Sequence, residues 1–270
     1  MSVDALGRPL TLAAPPRRVV SLVPSETESV AALAGLERLV GRTEYCEEPA
    51  GQIERVPRVG GTKNVDVAAV IALRPDLVLA NKEESSQRDV ERLIEAGLPV
   101  FVSFPCTVEE SLDYVETLAR LLHVDAPPRP APARRQGELR VCAPIWKDPW
   151  MTMDGRTYGS DLLSWLGADN VFSDRARRYP LAADVAGAPA ADPGARDTRY
   201  PRVTAEEIRA RGPALVLLPD EPYRFDETHL EEVRSWGVEA ALVSGKDLFW
   251  YGVRTAGALE RLDRALAPHR

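Results

Sequence analysis

Val65-Asp-Val-Ala-Ala-Val-Ile-Ala-Leu-Arg-Pro-Asp-Leu-Val-Leu79 and Val203-Thr-Ala-Glu-Glu-Ile-Arg-Ala-Arg-Gly-Pro-Ala-Leu-Val-Leu217 carry one pattern twice. Each enters a helix at its second residue, Asp66 or Thr204, the latter opening the capping box Thr204–Glu207, and then reaches a proline. A proline cannot continue the helix, and the apolar run behind it has the length and composition of a buried strand. Pro75 and Pro213 lie 213 − 75 = 138 residues apart, Gly97 and Gly237 lie 140 apart, and Gly35 and Gly167 lie 132 apart. Three landmarks in one order at nearly one offset predict an internal duplication.

Outward from these copies, strands and helices alternate. Arg18–Val23 reads as a strand, and Ser25 with Glu28 as a capping box opening a helix that stops at Gly35. A strand at 39–41, a helix at 66–73, a strand at 77–80, a helix at 86–96, a strand at 99–103 and a helix from Thr107 to about Leu122 follow. In the second half, strands at 139–145, 215–218 and 241–243 alternate with helices at 158–166, 204–211, 227–236 and 255–266. Such alternation predicts an α/β fold with parallel strands and helices on both faces. The duplication makes it two Rossmann-like lobes with a ligand cleft between them. Four prolines crowd residues 125–136, where no regular helix passes. The expected boundaries are therefore a lobe at 1–124, a short Pro-rich connection at 125–138 and a lobe at 139–270. Residues 175–199, rich in Ala, Pro and Gly, read as a long irregular insert.

Composition narrows the function. The chain of 270 residues is 44% hydrophobic, 28% charged and carries a net charge of −7, with no basic block. That argues against nucleic acid and anionic membrane surfaces as partners. Cys46, Cys106 and Cys142 are widely spaced, so neither a disulfide framework nor a structural zinc site is expected. The first residues lack the basic-then-apolar pattern of a leader, and no apolar run reaches 18 residues. On this reading the chain is cytosolic unless a leader was trimmed, with no membrane insertion. No GxSxG or HExxH occurs, and the paired acids Glu83 and Glu84 have no His or Cys beside them in sequence. A binding protein is expected rather than an enzyme; a Rossmann-type small-molecule enzyme is the alternative.

Ligands of open α/β sheets bind beyond the carboxyl ends of the strands. The loops there are 42–46, 146–150, 219–225 and 244–251, and they hold three of the five tryptophans of a chain that is only 6% aromatic. Tyr45, Trp146, Trp150, Tyr223, Phe249, Trp250 and Tyr251 are thus the expected ring lining for a flat, bulky ligand. Thr62 and Lys63, in the turn Gly60-Gly61-Thr62-Lys63-Asn64, and Glu83 are expected to touch it from polar loops. The turn lacks the spacing of a phosphate cradle and reads as a plain turn.

Arg18-Val-Val-Ser-Leu-Val-Pro-Ser-Glu-Thr-Glu28, Val59-Gly-Gly-Thr-Lys-Asn64, Ile71-Ala-Leu-Arg-Pro-Asp-Leu-Val78, Asn170-Val-Phe172 and Trp250-Tyr-Gly-Val-Arg254 resemble the class III periplasmic binding proteins, the vitamin B12, haem and siderophore binders of ABC importers. The resemblance runs from about Leu10 to Leu266. It implies a monomer that holds a metal chelate between its lobes and delivers it to an ABC permease. The implied ligand is a cobalamin-like corrinoid, with an iron–siderophore or haem as alternatives, and no covalently bound cofactor. It places Tyr45 against a corrin ring, makes the 247–251 stretch and Arg254 ligand-facing, and assigns the periplasm or cell envelope. Basic residues at Arg42, Lys63, Lys147, Arg224 and Arg254 would suit a siderophore. The family docks through one acidic residue on each lobe. Glu206 fits in the second lobe, but its mate at 206 − 138 = 68 is Ala68. Thr62 stands where some B12 binders have tryptophan, and the linker is short where the family has one long helix. A cytosolic corrinoid carrier or sensor without a permease is the other reading.

Overall fold

Val19–Ser21, Leu77–Asn81 and Val100–Ser103 are buried along their whole length, as strands covered on both faces must be. The computed structural model describes residues 2–130, 134–137 and 139–270, and these divide into two compact units. The first comprises the chain up to Pro105, Glu109–Pro130 and Tyr251–Arg254; the second takes Cys106–Val108, the described residues from there to Trp250, and Thr255–Arg270. The division therefore falls at Pro130, inside the expected connection, but it is not a single cut. Tyr251–Arg254 returns to the first unit.

The first unit begins with a small antiparallel hairpin, β1 (Ser2–Val3) and β2 (Pro9–Leu10). There follow β3 (Val19–Ser21), α1 (Pro24–Ala34), β4 (Leu39–Arg42), the hairpin β5 (Gly60–Gly61) and β6 (Asn64–Val65), α2 (Val67–Ala72), β7 (Leu77–Asn81), α3 (Gln87–Glu95), β8 (Val100–Ser103) and α4 (Val108–Leu122). Four of these strands form a parallel sheet in the order β4-β3-β7-β8. Val20, Leu22, Val70, Val78 and Leu93 pack its core. The hairpin lies against β8, where Ala5 N–H donates to the Val102 carbonyl at 2.8 Å and the Arg8 guanidinium to that of Val100 at 3.2 Å.

The second unit holds β9 (Leu139–Cys142), α5 (Tyr158–Trp165), β10 (Ala168–Asn170), α6 (Leu181–Val185), α7 (Ala205–Arg211), β11 (Leu215–Pro219), α8 (Glu227–Ser235), β12 (Glu239–Val243), α9 (Gly245–Phe249) and α10 (Thr255–Leu266). Its sheet is also parallel, in the order β10-β9-β11-β12. Both sheets thus run second, first, third, fourth. α2 and α7 start 205 − 67 = 138 residues apart, as do β7 and β11 at 215 − 77 = 138. Asp66 and Thr204 cap the two helices by accepting from the backbone N–H three residues on. Both copies then need a left-handed residue before the proline. Gly212 adopts φ 60 there, whereas Arg74 adopts φ 44, a conformation that costs a side-chain-bearing residue about 1 kcal/mol.

Two local expectations fail, the Ser25–Glu28 box and the loop at 244–249, and the irregular insert holds one short helix. Pro24 starts α1 one turn position early, so Val23 is the cap residue, no side chain caps the helix, and the Ser25–Glu28 box does not form. The insert after Arg175 contains α6 and is tied down by a buried guanidinium. Arg175 pairs with Asp184 at 2.9 Å and with Glu207 at 2.9 Å, and also donates to the carbonyls of Ala176 and Asp184. The stretch 244–249, expected as a loop, is α9. Ser244 accepts the Asp247 N–H, and the Asp247 carboxylate takes Arg261 at 2.6 and 2.7 Å.

Candidate functional site

In the first unit, the loop after β4 is built to present one ring. Arg42 is buried, and its guanidinium donates to the carbonyls of Ile53, Thr43 and Cys46 at 3.0–3.1 Å. Those bonds satisfy the charge internally and remove Arg42 from the set of cations open to an anionic ligand. The Cys46 thiol sits between the Thr27 and Thr43 hydroxyls, and its burial pushes the pKa up. With Arg42 and Cys46 buried, Tyr45 points out, 58% exposed. Its ring lies over Gly61, where an added Cβ would come within 3.3 Å of Tyr45 Cε2 and 2.4 Å of Asn64 Oδ1. Thr62 follows in the same turn, and the Lys63 ammonium donates to the Glu83 carbonyl at 2.6 Å. Asn81 shapes that second loop by accepting the N–H groups of Glu83 and Glu84. Tyr45, Thr62, Lys63 and Glu83 therefore do gather at the carboxyl end of β4 and β7.

In the second unit, the turn 146–151 separates two tryptophans. Met151 N–H donates to the Trp146 carbonyl at 3.0 Å and Ile145 N–H to that of Met151 at 2.8 Å. The turn leaves Trp146 45% exposed and sends Trp150 inward. Trp150 stacks on Phe225, with centroids 5.7 Å apart and planes 8° apart, and meets Trp236 edge-on at 5.5 Å. Trp150 is thus a core residue of this unit rather than an exposed ring of a ligand loop. Trp146 instead meets Tyr223 edge-on at 5.4 Å, and Tyr223 leans on Phe225 at 4.7 Å. Lys147 lies 5.5 Å from the Trp150 centroid and pairs with Glu232.

His229 was not legible as a member of this group. It is the third residue of α8, and with Asp226 forms the helix's capping box. Its Nδ1 lies 2.7 Å from Asp226 Oδ1 and its Nε2 is 3.3 Å from the Tyr223 hydroxyl. The histidine thereby orients the Tyr223 phenol. The available signal was an Asp three residues ahead of a His at a helix start.

Tyr251 and Arg254 have partners inside the first unit, so their placement differs from the ligand-facing one expected. The Tyr251 hydroxyl donates to Glu26 Oε1 at 2.8 Å, lies 2.9 Å from Ser103 Oγ and accepts from Asn81 Nδ2 at 3.0 Å. Its ring meets Tyr114 edge-on at 5.3 Å. Arg254 makes a two-pronged pair with Glu28 at 2.6 and 2.8 Å. Asn81 and Ser103 end β7 and β8, so Tyr251 fills the carboxyl edge where an open sheet would receive a ligand. Burial pushes the Glu26 carboxyl up to about 7, against the opposing hydrogen bonds from Ser103 and Tyr251.

Trp250 is nearly buried, with the Lys246 ammonium 5.2 Å from its centroid, and Phe249 is half-buried against α5 near Gly159. Glu206 is exposed in the first turn of α7; at the matching place in α2 stands Ala68, also exposed. Among the described residues, no group of three or more His, Cys, Asp or Glu could hold a metal ion, and no helix is long and apolar enough to cross a membrane.

Two parallel sheets of one topology thus each carry one exposed ring, Tyr45 or Trp146, in a loop at their strand ends. Residues 19–126 match the family model described as periplasmic binding protein. A vitamin B12-binding protein of Vibrio parahaemolyticus is 30% identical over 190 residues, covering 63% of this chain and 67% of that protein. The chain belongs to the periplasmic binding protein family, whose members bind solutes without transforming them. Among solved structures, the periplasmic vitamin B12 binding protein BtuF of Vibrio cholerae superposes with a TM-score of 0.72 at 20% identity, covering 94% of this chain and 98% of that one. The periplasmic heme-binding protein RhuT from Roseiflexus sp. RS-1 gives the same TM-score at 18% identity, covering 94% and 98%. The fold, two α/β lobes, is that of these proteins.

Proposed function

We propose that this chain captures a corrinoid, cobalamin or a close analogue, for uptake through an ABC importer. The observation that carries this reading is the 30% identity with a protein named for vitamin B12. The exposed rings support it: a corrin is broad and flat, and Tyr45 and Trp146 are large apolar faces, the first over Gly61 and the second edge-on to Tyr223. Thr62, Lys63 and Glu83 supply polar contacts beside Tyr45, and the half-buried Tyr223 and Phe249 add partly open rings on the second unit. The ligand is cargo and the chain is not an enzyme. It works in the cell envelope, and Glu206 meets the permease from the second unit.

The test is a titration of the purified chain with cyanocobalamin, haemin and a ferric siderophore. All five tryptophans, 146, 150, 165, 236 and 250, lie in the second unit, so fluorescence reports on its rings. Cyanocobalamin should quench it with Kd of about 1 μM or below. Quenching by haemin alone would transfer the assignment to haem, and silence with all three would remove the chelate reading.

A further inference from the structure

Tyr251–Arg254 belongs to the first unit although Trp250 and Thr255 on either side belong to the second. Four successive residues are each fastened there. Tyr251 bonds to Glu26, Gly252 N–H donates to Ser111 Oγ at 2.7 Å, Val253 N–H donates to Ser29 Oγ at 3.3 Å, and Arg254 pairs with Glu28. Gly252 has φ 93, and a Cβ there would come within 2.3 Å of Ser29 Oγ, so only glycine lets the segment lie this close to α1. This short strap is the cover over Glu26.

We propose that the strap is a proton-controlled latch, docked on the first unit while the Glu26 carboxyl holds its proton and loosened when that proton leaves. The groups around the carboxyl carry the argument. Glu26 Oε1 accepts from Ser103 of β8 and Tyr251 of the strap, while Asn81 of β7 donates to both of those hydroxyls. Glu26 Oε2 and the Tyr114 hydroxyl of α4 are buried together; the Tyr114 phenol opposes the effect of burial on the carboxyl, and the carboxyl helps push the Tyr114 pKa up. The further charges are Glu84, which raises the Tyr251 pKa, and the Glu28–Arg254 pair, whose cation is already matched by its own carboxylate. A proton on Oε2 makes the buried group neutral. Its loss leaves a fully buried anion, which favours any opening that hydrates it.

The direction follows from linkage. Glu26 has its pKa raised in the docked state and regains an ordinary carboxylate value when wet, so docking is strongest below about pH 4.5 and weakens as pH rises through about 7. The full span between those values corresponds to about 300-fold in the docking equilibrium.

The experiment is amide hydrogen exchange by NMR on the full ligand-free chain, from about pH 5 to about pH 8.5, corrected for the pH dependence of chemical exchange. Protection at Gly252 and Val253 should fall by about tenfold or more across neutral pH, while the β7 amides stay level. In Glu26→Gln the drop should vanish. Arg254→Met should lower strap protection at every pH and leave the midpoint in place. A wild-type strap equally protected throughout, or a drop that persists in Glu26→Gln, overturns the latch. If Glu26→Gln does not fold, the infrared band of a buried protonated carboxyl in the native protein decides: it must disappear with the same midpoint as the loss of protection. None of these readouts depends on ligand identity.

Discussion

Arg175→Met tests how the insert between β10 and α7 is held. The side chain of Arg175 is 6% exposed and that of its partner Asp184 is 0% exposed. Methionine keeps most of the volume and deletes the charge, so the loss isolates the electrostatics. Asp184 is left buried with two backbone donors, the N–H groups of Arg178 at 3.0 Å and Arg202 at 2.7 Å. Stranding one partner of a buried pair costs 3–5 kcal/mol, and the two surviving donors place this case at the low end, about 3 kcal/mol. Glu207, the other partner, is 29% exposed, so Glu207→Gln should cost less than about 1 kcal/mol. Urea unfolding followed by tryptophan fluorescence reads the second unit alone. With m near 3 kcal/mol/M, the Arg175→Met midpoint should drop by about 1 M. A loss under about 1 kcal/mol, or equal losses for the two variants, would refute the argument from burial.

Two neighbouring tryptophans should behave oppositely. Trp150→Ala should cost about 3–5 kcal/mol of stability by opening a void against Phe225 and Trp236. Trp146→Ala should change stability by less than about 0.5 kcal/mol while weakening corrinoid binding by about 2 kcal/mol, read by urea melts and ligand titration on the same preparations. Thiol labelling of the folded chain near pH 8, mapped by mass spectrometry, should modify the half-buried Cys106 first. Cys142, fully buried and pushed up to about 12, should stay unlabelled until the second unit unfolds.

Much of the architecture was legible because its signals are local. A capping residue, a helix, a stop and an apolar run lie within fifteen residues, and the copy at 203–217 repeats the obligations of 65–79 down to the left-handed residue before proline. The site was legible only where position along a strand decides exposure, as for Tyr45 and Lys63. Trp146 and Trp150 share a loop and a composition; the bridge closed by Met151 and the ring of Phe225, 75 residues further on, tell them apart. The interior bonding of Tyr251 was not legible because its partner Glu26 is 225 residues away. The same distance hid what the acidic residue at position 26, inside a stretch that resembles the family, is bonded to. The insert is mostly irregular as its Ala, Pro and Gly content suggests; what composition did not show is α6 and the one guanidinium that ties the segment down at several points.

An outermost strand with unpaired amides and carbonyls invites a foreign chain to add to the sheet. On the first unit that invitation is withdrawn by the chain's own opening residues, where Ala5 and Arg8 occupy carbonyls of β8 and Asp4 is buried beneath them. Whatever is fused upstream, whether a secretion leader or an affinity handle, must leave residues 2–10 free to reach that position. A fusion that pulls them away would expose a continuous apolar strand and favour aggregation, with Tyr45 and Trp146 left as they are.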